Sequence, residues 1–156
     1  MTARDFIQGR EIDRIGLVAF AGEALTQFHS SSHFLQRQIL YSMSDIGARK
    51  AEAAAARIAA FNPLVQTRVF TERLTSHNAM NIIEEFDVVV DGTDNFPTRY
   101  LINDACVLSG KPFVYGSILQ YEGQAAVFNY RDGTGRLSAN YRDIFPEPPS
   151  GASIPN

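Results

Sequence analysis

A run of small, mostly polar residues, Asp91-Gly92-Thr93-Asp94-Asn95, is where this chain can do chemistry. A carboxylate at the carboxyl end of a strand can hold Mg²⁺, which in turn bridges phosphate oxygens. Asp94 is the first candidate for that role. A plainer reading makes Asp94 the N-cap of a following helix. The two readings are compatible if Asn95 or Thr93 supplies the cap instead. Asp91 is a candidate for orienting the turn.

The flanking residues say what must position this run. Phe86 to Val90 is apolar and rich in β-branched residues, which reads as a short buried strand. Pro97 suits a first helical position, where a missing N–H costs nothing. Leu101, Ala105 and Leu108 recur at helical spacing, with Ile102 and Cys106 beside them. Gly110 and Lys111-Pro112 stop the helix, and Phe113 to Tyr115 begins a second strand. A strand–turn–helix–strand unit of this kind places the acidic turn at the carboxyl end of a parallel strand. Open α/β sheets bind ligands there.

Composition sets broad limits. The chain has 156 residues, enough for one domain. It is 45% hydrophobic and 20% charged, ordinary for a globular protein. A net charge of −3 argues against a nucleic-acid partner. No apolar run approaches the ~20 residues that span a bilayer, and the charged N-terminus does not read as a signal peptide, so a cytoplasmic location is expected. One cysteine excludes an internal disulfide and a Cys-rich zinc site.

The remaining elements follow from pattern. Ile15 to Phe20 reads as a strand, and Ser30-Ser31-Ser32 as a loop. Leu35 to Tyr41 reads as a short helical segment. Ser44 or Asp45 can cap a helix running to about Ala60, with Ala54, Ile58 and Phe61 as its buried stripe. Leu64 to Phe70 alternates and reads as a strand. Thr75 or Ser76 can start a short helix reaching about Glu85. Glu122 to Tyr130 reads as a further, antiparallel strand, and residues 132–135 as a turn. The final residues 146–156 read as extended. Cys106 reads as a small buried hydrophobe rather than a nucleophile. His77 reads as a surface residue, and His29 and His33 lack a third partner for a metal.

The central unit resembles the ThiF/MoeB/HesA family of ubiquitin-activating-type adenylyltransferases, whose pattern here is VVD-x-TDN and NDAC-x-x-x-GKP. The resemblance continues in Leu35-Gln36-Arg37-Gln38, in Asp45-Ile46-Gly47 with Lys50, in Glu122-Gly123-Gln124, and in Tyr141-Arg142-Asp143 with Phe145 to Pro149. It implies a fold of class α/β: an incomplete Rossmann-like, mostly parallel sheet flanked by helices, with an antiparallel C-terminal extension. It divides the chain into an atypical segment 1–34, a nucleotide-binding core 35–130, and the extended start of a crossover loop, 131–156. The implied activity is ATP-dependent adenylylation of the C-terminal glycine of a ubiquitin-like sulfur-carrier protein. The implied cofactors are ATP and Mg²⁺. Arg37, Lys50 and Asp94 carry the catalytic roles; Arg37, Gln38, Lys50, Thr93, Asp94 and Asn95 bind the nucleotide; Asp94 holds the metal. The implied partners are the carrier and a second subunit, either a second copy or a full-length family member.

The chain also departs from the family pattern. Gly9, Gly16 and Gly22 do not form the expected glycine-rich phosphate loop. Ala19 and Ala21 stand where the family places its ribose-binding acids. Asn140 and Asp143 replace a Cys-x-x-Cys pair, so no zinc is expected. The region of the mobile catalytic cysteine is absent. The sequence therefore reads as truncated at both ends, and weak or no activity is expected of the chain alone. A non-catalytic carrier-binding or dimerisation module of the same fold is the alternative. A nicotinamide-dependent enzyme fits less well without G-x-G-x-x-G, and a poorly folding product with an exposed sheet edge is a further reading.

Overall fold

The computed structural model describes residues 15–18, 41–119 and 121–148. They fall into two compact units: strand β1 (Ile15–Val18) with residues 74–148, and residues 41–73.

The first unit is built on a four-stranded sheet in the order β1-β2-β3-β4. Strand β2 (Val88–Asp91) lies parallel to both β1 and β3 (Phe113–Leu119). Strand β4 (Glu122–Phe128) runs antiparallel to β3 from Leu119↔Glu122 to Phe113↔Phe128. This is an α/β arrangement with a mostly parallel sheet and an antiparallel C-terminal strand, as the residue pattern implied. Val88 and Val89 are both buried, so the middle strand is covered on both faces. That is why its run is apolar without alternation. On β4 only Phe128 is fully buried, which fits an outer strand of the described sheet.

Parallel strands cannot be joined by a hairpin, and helix α3 (Phe96–Ser109) makes the crossover from β2 to β3. Asn95 caps its start by accepting the Thr98 N–H at 2.9 Å, and Pro97 lies in the first turn. Gly110 ends it at φ 65°, in the left-handed region that glycine enters without strain. The Lys111 N–H then reaches back to the Cys106 carbonyl at 2.8 Å. Arg99, Ile102, Asn103 and Cys106 mark the buried direction of α3. Leu108, expected on the apolar stripe, is 75% exposed. It stands two residues, about 200° of rotation, beyond Cys106 and so faces away.

Helix α2 (Ala79–Ile83) packs on α3 through buried Ala79, Ile82 and Ile83. It is shorter than expected, with Asn78 at its N-cap. Thr75 instead opens a turn, its N–H donating to Asn78 Oδ1 at 2.8 Å. The segment expected to be extended from 131 contains one turn of helix, α4 (Tyr141–Ile144). Tyr141 is the hub of an aromatic cluster. Its ring centroid lies 5.2 Å from Tyr100, 5.3 Å from Tyr115 and 5.7 Å from Phe128. Edge-to-face and tilted contacts of this kind contribute beyond burial alone.

In the second unit, residues Met43–Asp45 form a 3-10 turn and Lys50–Phe61 form helix α1. Neither Ser44 nor Asp45 caps α1; Arg49 holds that position without a side-chain capping bond. Asp45 turns back instead and accepts the Ser42 N–H at 2.7 Å. Ala54 and Ile58 are half-buried, but Phe61, expected on the same stripe, is 92% exposed. Residues 64–70 are not a strand. Alternation makes a strand only where a ladder partner exists, and the described residues of this unit contain no other strand. No helix among the described residues is long and apolar enough to cross a membrane.

The two faces of α3 predict opposite responses to truncation. Ile102→Ala, at a fully buried position, is expected to lower unfolding free energy by about 2–5 kcal/mol. Leu108→Ala is expected to change it by no more than about 0.5 kcal/mol. Urea unfolding followed by circular dichroism measures both.

Candidate functional site

The candidate site lies at the carboxyl end of β2. The chain turns there through Gly92, Thr93 and Asp94 before α3 begins. Asp91 is the last strand residue and is buried. One of its oxygens, Oδ1, accepts the Thr93 N–H at 2.7 Å. The other, Oδ2, accepts the Arg99 Nε–H at 3.0 Å. Arg99 Nη2 donates in turn to the Thr93 carbonyl at 2.7 Å. Its guanidinium also lies 4.8 Å from the centre of the Tyr115 ring. Burial alone pushes this guanidinium down, but the bond to Asp91 and the nearby charge of that carboxylate more than offset it and raise it.

This arrangement separates three neighbouring residues by role. Asn95 is the helix cap, so the cap does not fall to Asp94. Asp94 is exposed, and among the described residues it has no hydrogen bond or ion pair. Thr93 is buried, and its Oγ1 has no hydrogen-bond partner among the described residues. The first turn of α3 offers an anion little: Pro97 has no N–H, and the Thr98 and Arg99 N–H groups both bond Asn95. A carboxylate is favoured near that helix start. The turn therefore suits a hard cation held by Asp94 better than a phosphate held directly by the helix. A single exposed carboxylate fits Mg²⁺, which keeps several waters and takes its remaining oxygens from substrate phosphates.

The other expected site residues are placed differently. Lys50 is half-buried at the first position of α1, in the second unit. Arg37, Gln38, Ala19 and Ala21 lie outside the described residues. Thus Thr93, Asp94 and Asn95 are brought together in one turn.

The motifs on either side of the site are joined by a second set of bonds that residue-by-residue reading missed. Asn103 Oδ1 accepts the Tyr141 N–H at 2.9 Å. Arg142 forks onto Asp104, with Nε–Oδ1 at 2.6 Å and Nη2–Oδ2 at 2.7 Å. That bond holds the Asp104 carboxyl below its ordinary range. The Tyr100 hydroxyl donates to the Phe145 carbonyl at 2.9 Å. Asn140 and Asp143, expected from the sequence not to hold zinc, form a capping box around α4. Asn129, at φ 52°, donates from Nδ2 to the Cys106 and Lys111 carbonyls, both at 2.9 Å. The signal for Arg99 was present in the sequence: a charged residue three positions before Ile102 and seven before Cys106 sits on the apolar stripe.

Comparison with known proteins bears on what this site does. The model of the ThiF family matches residues 31–156. The chain is 48% identical over 122 residues to the probable adenylyltransferase/sulfurtransferase MoeZ of Mycobacterium tuberculosis, covering 78% of this chain and 31% of that protein. It is 43% identical over 145 residues to the sulfur carrier protein adenylyltransferase of Thermus thermophilus, covering 93% of this chain and 51% of that protein. With the adenylyltransferase and sulfurtransferase MOCS3 of Anopheles gambiae it shares 40% identity over 151 residues, 97% of this chain and 32% of that protein. The chain thus spans about a third to a half of the length of these relatives. The crystal structure of selenomethionine PaaA superposes with a TM-score of 0.60 at 17% identity, over 80% of this chain and 38% of that one. That likeness concerns the fold.

Cys106, fully buried on α3, supplies a test of how this region opens. Burial, followed by the Asp91 charge, pushes its thiol up to about 12. The unfolded thiol titrates near 9.0, so the folded state favours the proton. This contribution to stability is complete below pH 9 and is lost as pH rises towards about 12. At pH 8, labelling by a thiol reagent is expected to proceed no faster than unfolding, and to become immediate in denaturant.

Proposed function

Because the chain belongs to the ThiF family, we propose that it takes part in ATP-dependent adenylylation of the C-terminal glycine of a ubiquitin-like sulfur-carrier protein. The observation that carries this reading is the division of labour in the turn after β2. Asn95 caps α3, which leaves the Asp94 carboxylate exposed at the carboxyl end of a parallel strand. The names of the relatives support the reaction class.

In this reaction the terminal carboxylate of the carrier attacks the α-phosphorus of ATP. An acyl–oxygen–phosphorus bond forms, the bond to the β-phosphate oxygen breaks, and pyrophosphate leaves. The protein has little covalent work to do; it positions the carboxylate and stabilises charge on the leaving group. Asp94 would hold Mg²⁺, which neutralises phosphate charge when bound. Arg37 would place a guanidinium against phosphate and Lys50 an ammonium, while Gln38 would hydrogen-bond phosphate. Thr93 and Asn95 would border the nucleotide through the turn that they share with Asp94. The active form would contain a second subunit, either another copy or a full-length relative, in the cytoplasm. Alanines at 19 and 21, in place of the ribose acids, favour weak activity for this chain alone. The same two alanines favour a second reading, a carrier-binding or dimerisation module without catalysis.

Calorimetry with Mg²⁺-ATP separates the readings. The catalytic reading expects saturable binding that Asp94→Ala abolishes. It also expects carrier-dependent pyrophosphate exchange, slowed by that substitution by about 10²–10³. Capture of a ubiquitin-like carrier without any nucleotide binding, unaffected by Asp94→Ala, would establish the non-catalytic reading instead.

A further inference from the structure

We propose that Arg99 is the positioning residue of this site: it holds the peptide bond between Thr93 and Asp94, and so aims the Asp94 carboxylate. The inference rests on the reading of Asp94 as the metal-facing group.

Two backbone bonds fix the turn. Thr93 is held at both ends of its backbone. Its N–H is bonded to Asp91 Oδ1 at 2.7 Å, and its carbonyl to Arg99 Nη2 at 2.7 Å. That carbonyl belongs to the peptide group whose nitrogen is Asp94's. Among the described residues the buried Thr93 hydroxyl has no partner, so its side chain adds no bond there. Holding the turn therefore falls to Asp91 and Arg99, which are bonded to each other at 3.0 Å. Both side chains are almost wholly buried, Arg99 at 6% and Asp91 at 0% exposure. The Tyr115 ring, with the guanidinium 4.8 Å from its centre, limits the planes that Arg99 can adopt. One planar fork thus reaches the last residue of β2 and the residue before Asp94, while its own Cα lies on the first turn of α3. Lysine carries the same charge but cannot span two acceptors in a plane, so it does not substitute for this geometry.

The test uses the full chain and the variants Arg99→Lys and Ile102→Ala. Ile102→Ala weakens α3 without touching the fork. Amide hydrogen exchange reports on the turn, and Mg²⁺ titration at fixed ATP reports on the site. Arg99→Lys is expected to speed exchange of the Thr93 amide, and to raise the Mg²⁺ requirement, by about tenfold each, with the Ala105 and Cys106 amides unchanged. Ile102→Ala is expected to speed exchange along α3 and leave the Mg²⁺ requirement at the wild-type value. Wild-type behaviour of Arg99→Lys in both measurements would overturn the proposal, as would an equal rise in Mg²⁺ requirement for the two variants. Should Arg99→Lys not fold, Asp91→Asn serves in its place. It keeps an acceptor for the Thr93 N–H and removes the charge that holds the fork, and the same outcomes decide. If the wild-type chain binds no Mg²⁺-ATP, the reading of Asp94 fails, yet Thr93 exchange still decides whether Arg99 holds the turn.

Discussion

The ion pair between Asp91 and Arg99 is the interaction on which the rest of this structure depends. Two charges taken out of water are costly unless each finds a partner and its remaining hydrogen-bonding positions are filled. Here the carboxylate has the guanidinium on one oxygen and a backbone N–H on the other, and the guanidinium has a second acceptor in the Thr93 carbonyl. Pairing is satisfied only when β2, the turn and α3 stand in this one relation. The pair therefore acts less as a source of stability than as a device for register. It fixes where the strand ends, where the helix starts and how the residue between them is presented.

The bonds further along α3 extend the same logic. Asn103 and Asp104 lie one turn beyond Arg99 and are committed to Tyr141 and Arg142, far along the chain. Tyr100 reaches Phe145 in the same way. The first half of the central helix thus ties the acidic turn to residues 141–145. Two motifs that look like separate signatures are one packed structure. Tyr100 and Asn103 bond backbone groups of the second motif, and Asp104 bonds its Arg142 side chain. Tyr141 completes the arrangement by filling the space between α3, β3 and β4 with an aromatic ring.

Within this frame the exposed groups stand out by contrast. The polar residues that hold the unit together are buried or bonded, whereas Asp94 is neither. Open α/β sheets bind ligands outside the carboxyl ends of their strands, and Asp94 stands just beyond that end of β2. Asn140 and Asp143 have an equally local role: they close a turn of helix through their own side chains.

The sequence by itself determined the strand–turn–helix–strand unit, because apolar runs, a proline near the helix start and a glycine at its end are local signals. It also determined the family, through motifs in fixed order. Several things were decided only in three dimensions. Which of Thr93, Asp94 and Asn95 caps α3 depends on which side chain reaches the Thr98 N–H, and all three types are plausible caps on composition. Leu108 and Phe61 match helical spacing, yet burial depends on which direction a neighbour occupies. Residues 64–70 alternate as a strand would, but a ladder needs a partner that local pattern cannot supply. Arg99 is written plainly in the chain, and its meaning appears only when the fold places Asp91 beside it.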